Sequence, residues 1–426
     1  MSAPVFLGLD FGTSGARACV IAPSGEIEDM ARLDFGELPG HEAAASWREA
    51  LLGLVAQVPL GLRRRLGAIA VDGTSATVLA CDEALNPTFP PLLYNDARAT
   101  EQAATIARAA GAEHPAAMPT SGLAKVLWLK QHLGLQRARL YLNQADWLSA
   151  QLSDRPVSDY HNAMKMGLDL ETGQWPYWVE YLADVDYLPV PVPPGEAVGL
   201  LARPRARELG VNPDCLVRAG TTDSIAAFLA AGVNRTGEAV TSLGTTLVLK
   251  LLSETRVDSA SFGVYSHWFG GRWLTGGASN AGGGVLRQHF SDDELIELSR
   301  RIDPERESGL DYYPLARPGE RFPVNDPGLA PRLEPRPDDR AEFLHGLLEG
   351  LARIEARGYG KLRELGATPL RAVASAGGGA RNPAYTRIRA RMLGVPVGQA
   401  GEHEASYGSA RLACLGTRIF MRTQDD

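Results

Sequence analysis

The sequence predicts an α/β chain made of two related halves, and three observations carry that reading. Apolar runs of strand length alternate with stretches whose apolar residues recur at helical spacing. The stretch Gly8-Leu9-Asp10-Phe11-Gly12-Thr13-Ser14-Gly15 sits between apolar runs at 5–7 and 18–21, which reads as two strands joined by a glycine turn. Strand, glycine turn and strand recur at Val240-Thr241-Ser242-Leu243-Gly244-Thr245-Thr246-Leu247-Val248-Leu249, so the second half repeats the first. Bare amides and hydroxyls at such turns suit an anion, and a phosphate is the natural occupant. A Walker loop would need a lysine after its second glycine, and a dinucleotide fingerprint would need Gly-x-Gly-x-x-Gly opening a helix; the first turn has neither.

Composition narrows the classes. With 426 residues and 45% hydrophobic content the chain can bury large cores, in two or three domains. A net charge of -7 argues against a polyanion-binding surface and so against nucleic acid as a partner. The N-terminus runs into a strand without a basic, apolar leader, and no run reaches membrane-spanning length. A cytoplasmic chain with no membrane partner is therefore expected. Cys19, Cys81, Cys215 and Cys414 are scattered without close pairs or metal-ligand spacing, which indicates buried, inert thiols rather than disulfides or a structural metal.

After the first hairpin, an amphipathic stretch from Glu42 to Val58 reads as a helix. Residues 66–82 form a buried-looking strand that ends in small polar residues and resumes. Thr74, Ser75 and Thr77, at its carboxyl end, are candidates for holding a polyol, against a plain solvated loop. Asp96 and Arg98 follow a proline-stiffened segment and pair an acceptor with a donor, suited to vicinal hydroxyls or to a surface ion pair. Helical patterns cover 101–110 and 125–133, another helix opens at 143–148, and polar loops are expected at 158–162 and 173–176. Prolines between Leu188 and Arg205 make an exposed run, and a domain boundary near Cys215 divides the chain into 1–215 and 216–426.

Beyond that boundary, 216–232 reads as strand, tight turn and helix, with Asp223 at the N-cap. There it serves as a cap, or as a carboxylate that accepts the proton of an attacking hydroxyl. A weak base suffices for phosphoryl transfer, whose transition state needs positioning and charge neutralisation more than early proton removal. Asp10 instead suits a hydrated Mg²⁺ between phosphates, since that ion takes one or two carboxylates and keeps several waters. Glycines at 276–284 precede a short helix, the proline-rich 313–339 reads as an ordered surface loop, and 340–365 is a long amphipathic helix. Val373-Ala374-Ser375-Ala376-Gly377-Gly378-Gly379-Ala380-Arg381-Asn382-Pro383 is again strand, glycine turn and helix start, where an adenine can lie against bare backbone with Asn382 as its partner. His403, between Glu402 and Glu404, reads as a charge cluster at a helix start rather than a metal pair.

Four blocks, in this order, make the chain resemble the FGGY carbohydrate kinases of the sugar kinase, Hsp70 and actin superfamily, from about Val5 to Leu415. They are Leu9-Asp10-Phe11-Gly12-Thr13-Ser14, residues 220–227 with Asp223, Gly319-Glu320-Arg321-Phe322-Pro323, and 377–383. The resemblance implies two ribonuclease-H-like (actin-like ATPase) domains with a cleft between them, the sugar held mainly by the first and ATP by the second. It implies Asp223 as catalytic base, Thr13 and Ser14 as the first phosphate turn, Gly244 and Thr245 as the second, and Gly378, Gly379 and Asn382 as the adenosine site. Asp10 would hold Mg²⁺ through water, and Asp10, Thr74, Ser75, Asp96, Arg98, Asp223 and Ser224 would surround the sugar. Within the family the chain looks most like the short D-ribulose kinases, often labelled xylulokinase-like. Its Asp72-Gly73-Thr74-Ser75-Ala76-Thr77 stands where typical xylulokinases have Gly-Gln-Met-His-Gly. The expectation is an ATP-dependent kinase for the terminal hydroxyl of a ketopentose, D-ribulose first. D-xylulose or another polyol is the alternative acceptor, a nucleotide and sugar sensor the other class, and the assembly a monomer or homodimer.

Overall fold

The computed structural model describes residues 3–36, 42–133 and 138–422. They form two compact units: the first runs to Ala230 and includes Glu404–Met421, and the second comprises Ala231–His403 with Arg422.

The first unit is built on a mixed sheet. Strands β1 (Val5–Phe11), β2 (Gly15–Ile21) and β3 (Ile27–Asp34) make an antiparallel meander, its first turn closed by the Gly12 amide donating to the Gly15 carbonyl at 3.0 Å. Strand β4 (Leu66–Gly73) lies parallel to β1. Two small ribbons stand apart from this sheet: β5 (Val78–Cys81) with β6 (Leu140–Asn143), and β7 (Val157–Asp159) with β8 (Val190–Val192). Strands β9 (Ala197–Leu200), β10 (Leu216–Arg218) and β11 (Thr221–Thr222) complete the sheet in the order β3-β2-β1-β4-β10-β9, with β11 also along β4. Both β1 and β4 are buried almost throughout because helices cover both faces. Leu51 and Leu54 of the helix Glu42–Gln57 join Leu7, Leu9 and Ile69 in one core, and the helix Ala405–Leu415 packs on β1, β2 and β4.

The second unit repeats the plan. Strands β12 (Glu238–Leu243) and β13 (Leu247–Ser253) form a hairpin, followed by β14 (Tyr265–Phe269) and β15 (Arg272–Ala278). Strand β16 (Ala372–Ala376) runs parallel to β12 and β17 (Val397–Gln399) parallel to β16, in the order β14-β15-β13-β12-β16-β17. The helix Arg340–Glu364 buries Phe343, Leu344, Leu347, Leu348, Leu351 and Ile354 in this unit's core, as its apolar stripe requires.

Several expectations need correction. The chain leaves the first unit after Ala230 rather than near Cys215, because β10 and β11 pair with β4 and carry 216–230 with them. It also returns to that unit at Glu404–Met421. Residues 158–162 are not loops: they complete β7 and open the short helix Tyr160–Ala163, capped by Asp159, which accepts from the His161 and Asn162 amides. The proline run is ordered as β8, β9 and the helix Arg203–Leu209, with Leu201 buried. The 313–339 segment is not confined to the surface, since Tyr313, Leu315 and Phe322 belong to the second core. Asp223 opens the helix Asp223–Ala230 as its first residue rather than standing before it. Among the described residues no disulfide is formed, and burial pushes the Cys81 and Cys215 thiols up to about 12. No described helix is long and apolar enough to cross a membrane.

At the centre of the second unit Arg389 donates to Glu355 through Nε at 2.6 Å and Nη2 at 2.7 Å, and to Ser375 Oγ through Nη1 at 2.6 Å. Thr241 Oγ1 donates to the same Glu355 at 2.6 Å. Arg389 and Glu355 are fully buried, so losing one partner strands the other charge. Arg389→Met is expected to destabilise this unit by about 3–5 kcal/mol, read from the midpoint of its transition in urea.

Candidate functional site

Three neighbouring parallel strands end side by side in the first unit. Their register sets Asp10 of β1 opposite Asp72 of β4, and Asp72 opposite Thr221 of β11. Asp223 follows β11 directly. Three carboxyl groups therefore collect at the carboxyl ends of one sheet, where α/β folds place their ligands. Asp10 and Asp72 are buried and Asp223 is half-buried. Arg17 faces Asp10 across the hairpin and donates from Nη1 to Oδ2 at 3.0 Å, with Glu404 at 3.7 Å from the same guanidinium. Ser409 Oγ donates to Asp72 Oδ2 at 2.6 Å. Burial raises the Asp72 carboxyl well above the usual carboxylate range, and the negative charge of Asp10 raises it further. Asp72 thus favours its neutral form beside two other carboxyl groups.

Beyond Asp72 the chain makes a polar turn. Thr74 Oγ1 lies 2.6 Å from Thr77 Oγ1, and both the amide and the hydroxyl of Thr74 donate to Gln144 Oε1, at 2.9 and 2.8 Å. Thr74 and Thr77 are buried and Ser75 is half-buried. Ala76 has φ 61°, a left-handed backbone unusual for a residue with a Cβ. Asp96 and Arg98 form an ion pair, Nε to Oδ1 at 2.9 Å and Nη2 to Oδ2 at 2.8 Å, with the guanidinium 5.0 Å over the Trp128 ring. Burial works to raise the Asp96 carboxyl, but the Arg98 bonds prevail and hold it below its ordinary value. This pair connects to the turn through Lys125, whose Nζ donates to the Ala76 and Leu93 carbonyls, both at 2.7 Å. Ser224 is exposed, and its amide donates to Asp223 Oδ1 at 2.6 Å. Thr13 and Ser14 are exposed at the tip of the first hairpin.

The second unit brings the other candidates together. Ser242 of β12 pairs with Ala376 of β16, so the turn at Gly244 and Thr245 and the turn at Gly377, Gly378 and Gly379 leave neighbouring parallel strands. They touch: a Cβ on Gly377, at φ 82°, would come within 3.0 Å of the Leu243 carbonyl oxygen, and one on Gly379 within 2.9 Å of Leu243 Cβ. The Gly283 and Gly284 amides hold the hairpin from behind, donating to the Gly244 and Thr245 carbonyls at 2.8 and 3.0 Å. Asn382 caps the helix Pro383–Leu393 by accepting from the Tyr385 amide at 3.1 Å, and donates to Ser299 Oγ at 2.8 Å. Glu320 braces this side: its buried carboxylate accepts from Ser279 Oγ at 2.6 Å, the Asn280 amide at 2.7 Å and Tyr313 Oη at 3.1 Å.

The geometry has close relatives. Residues 5–230 match the N-terminal domain, and residues 239–417 the C-terminal domain, of the FGGY family of carbohydrate kinases. The chain belongs to that family. A xylulose kinase of Klebsiella pneumoniae is 26% identical, the alignment covering 96% of this chain and 89% of that protein. A gluconokinase of Bacillus subtilis is 22% identical over 97% of this chain and 86% of its own length. The crystal structure described as a "xyloylose kinase" from Brucella ovis superposes with a TM-score of 0.83 at 23% identity, covering 99% of this chain and 93% of that one. The protein is an ATP-dependent sugar kinase with the actin-like ATPase fold in both domains.

The residue-by-residue reading missed partners that the kinase fold supplies. Arg17 and Asp10 are partners in the β1 and β2 register, a signal available by counting back from the Gly12 turn. Lys125 looks like a solvent-facing position in a helical pattern, and Gln144 and Ser409 reach Thr74 and Asp72 from far along the chain. Those contacts leave no local pattern.

Asp72 gives the kinase a pH signature. A carboxyl raised in the folded state contributes stability that is fully present below its ordinary value of 3.8 and is lost as pH rises through the folded value. Asp72→Asn, which cannot ionise, is expected to raise the melting temperature at neutral and alkaline pH and flatten its fall with pH. Thermal melts across the neutral range check this.

Proposed function

We propose that this kinase transfers the γ-phosphoryl group of ATP to the terminal hydroxyl of a ketopentose, with D-ribulose the preferred acceptor. The observation that carries the reading is the gathering of Asp10, Asp72 and Asp223 at three strand ends beside the hydroxyl-lined turn at 74–77. Asp223 accepts the hydroxyl proton as the oxygen bonds to the γ-phosphorus and the bond to the ADP oxygen breaks. Thr74, Ser75, Asp96 and Arg98 orient the remaining hydroxyls, with Asp10 and Ser224 close to the reacting end. The glycine turns at 244–245 and 377–379 offer backbone amides to nucleotide, with Asn382 beside the base and Thr13 and Ser14 offering the first-unit hydroxyls.

The donor set suits Mg²⁺ carried in with nucleotide: one carboxylate, Asp10, would hold it through water, with Asp10 Oδ2 already accepting from Arg17. That ion would neutralise phosphate charge. Among the described residues no group of three or more His, Cys, Asp or Glu is arranged to hold a metal by protein ligands alone.

D-ribulose is favoured over D-xylulose because the turn presents Thr74, Ser75 and Thr77 where typical xylulokinases carry a Met-His pair. The 26% identical relative named xylulose kinase supports the second reading, D-xylulose. Coupled assays with D-ribulose, D-xylulose, L-ribulose, L-xylulose and glycerol decide between them: the highest kcat/KM is expected for D-ribulose, and a D-xylulose optimum reverses the preference. Turnover of no ketopentose above the buffer rate removes the ketopentose reading. Asp223→Asn is expected to lower kcat by about 10²–10⁴-fold while ATP still binds by calorimetry. An unchanged kcat removes Asp223 as the base.

A further inference from the structure

We infer that Lys125 is a positioning residue for the acceptor: its buried Nζ, bonded to the Ala76 and Leu93 carbonyls at 2.7 Å each, locks two turns into one wall and so sets sugar affinity and epimer discrimination. This rests on reading Thr74, Ser75, Asp96 and Arg98 as acceptor contacts.

Each segment is a turn closed by its own amide bond. Thr77 N donates to the Thr74 carbonyl at 3.4 Å, and Asp96 N donates to the Leu93 carbonyl at 2.9 Å. The segments also share the bridge between Val78 and Leu92, but that bridge lies at their edge. Lys125 ties the parts that carry the candidate side chains. It grips Ala76 at the residue whose backbone is left-handed, φ 61°, a conformation that needs an outside hold. Trp128, one helical turn on from Lys125 in the helix Gly122–Leu133, carries the Arg98 guanidinium over its ring. One helix thus braces both the hydroxyl turn and the acid–base pair.

The device works through donors rather than charge. Lys125 is fully buried, and burial pushes its ammonium down to about 7, with Asp96 favouring the charged form and Lys165 opposing it. A neutral amine still has two N–H bonds to give, one for each carbonyl, so the clamp holds in either protonation state. A buried polar group kept on an otherwise apolar helix face carries a desolvation cost that only such bonds offset.

The experiment compares Lys125→Met, which keeps the length of the side chain and loses the donors, with Lys125→Gln, which keeps an amide donor. Lys125→Met is expected to raise the KM for D-ribulose by about tenfold or more and to move the ratio of D-ribulose to D-xylulose KM up toward one, with the ATP KM within about twofold of native. Lys125→Gln is expected to recover part of the loss. An acceptor KM unchanged within about twofold overturns the inference, and so does an ATP KM that rises in step with the acceptor KM. Native enzyme supplies a measurement independent of how the variants fold. In hydrogen–deuterium exchange, saturating ketopentose should protect the amides of 74–78 and 92–98 together, and protection of one segment alone overturns the clamp. Thr74→Ala separates the two readings. If it raises the acceptor KM and Lys125→Met does not, only this inference fails; if neither moves it while sugar is turned over, the acceptor-site reading fails.

Discussion

The close approach of the helix Ala405–Leu415 to the first sheet is the constraint on which the carboxyl cluster depends. A Cβ on Gly8 would lie 2.1 Å from the Ala410 amide nitrogen and from the Ser406 carbonyl oxygen, so β1 and this helix meet backbone to backbone. A Cβ on Gly408 would lie 1.8 Å from the Ala226 carbonyl oxygen, so the same helix meets Asp223–Ala230 in the same way. Ser409, between those contacts, reaches Asp72. One small-residue helix thereby fixes the strand that carries Asp10, the helix that begins with Asp223 and the hydroxyl that bonds Asp72. A single added methyl at either glycine would have to move an element that holds a site residue. Catalytic groups mounted on mutually locked elements keep their spacing far better than groups on loops.

The second unit reaches the same end by a different force. Thr241 lies on β12, which leads into Gly244, and Ser375 on β16, which leads into Gly377; both side chains terminate on the buried pair of Glu355 and Arg389. Both glycine turns therefore hang from one ion pair. Desolvating two charges is costly, and a fully bonded pair is valued for the geometry it dictates more than for net stability. Close packing has no preferred azimuth, whereas a guanidinium fork bonded to a carboxylate and a hydroxyl fixes how two strands and two helices face each other. Under the nucleotide-binding role proposed for these turns, their backbone amides gain from that directional control.

What was legible in the residues follows from range. Both hairpins could be read because a glycine turn between apolar runs is a local signal, and the helix Arg340–Glu364 because its stripe is periodic. The FGGY blocks supplied the kinase fold and chemistry, and Asp223 stood out as a carboxylate at a strand-to-helix turn. The allegiance of 216–230 to the first unit and the return of Glu404–Met421 were not legible, since each depends on strand pairing or helix packing against residues far away in sequence. Proline content misled at 188–205 and 313–339: proline marks irregular backbone, and irregular backbone around Tyr313 and Phe322 is still core when Glu320 satisfies its polar neighbours. Lys125 escaped because pattern reading assigns lysine to solvent, and only the two carbonyls it meets explain its burial.

The two substrates differ in how far relatives can speak for this chain. Nucleotide turns present backbone amides, which any sequence with glycine at the right positions supplies, so family membership at low identity transfers the phosphoryl donor. The proposed acceptor wall is made of side chains: Thr74, Thr77 and Gln144 in one bonded group, Asp96 and Arg98 in another, joined through a lysine whose hydrogen bonds go to backbone carbonyls. Discriminating D-ribulose from D-xylulose means reading one inverted hydroxyl, a task for a single donor or acceptor displaced by a fraction of an ångström. Such a displacement is governed by what holds the turns, not only by which residues line them. Two kinases of this family can therefore share every nucleotide turn and still prefer different epimers, and the residues to compare between them include the buried braces as well as the wall itself.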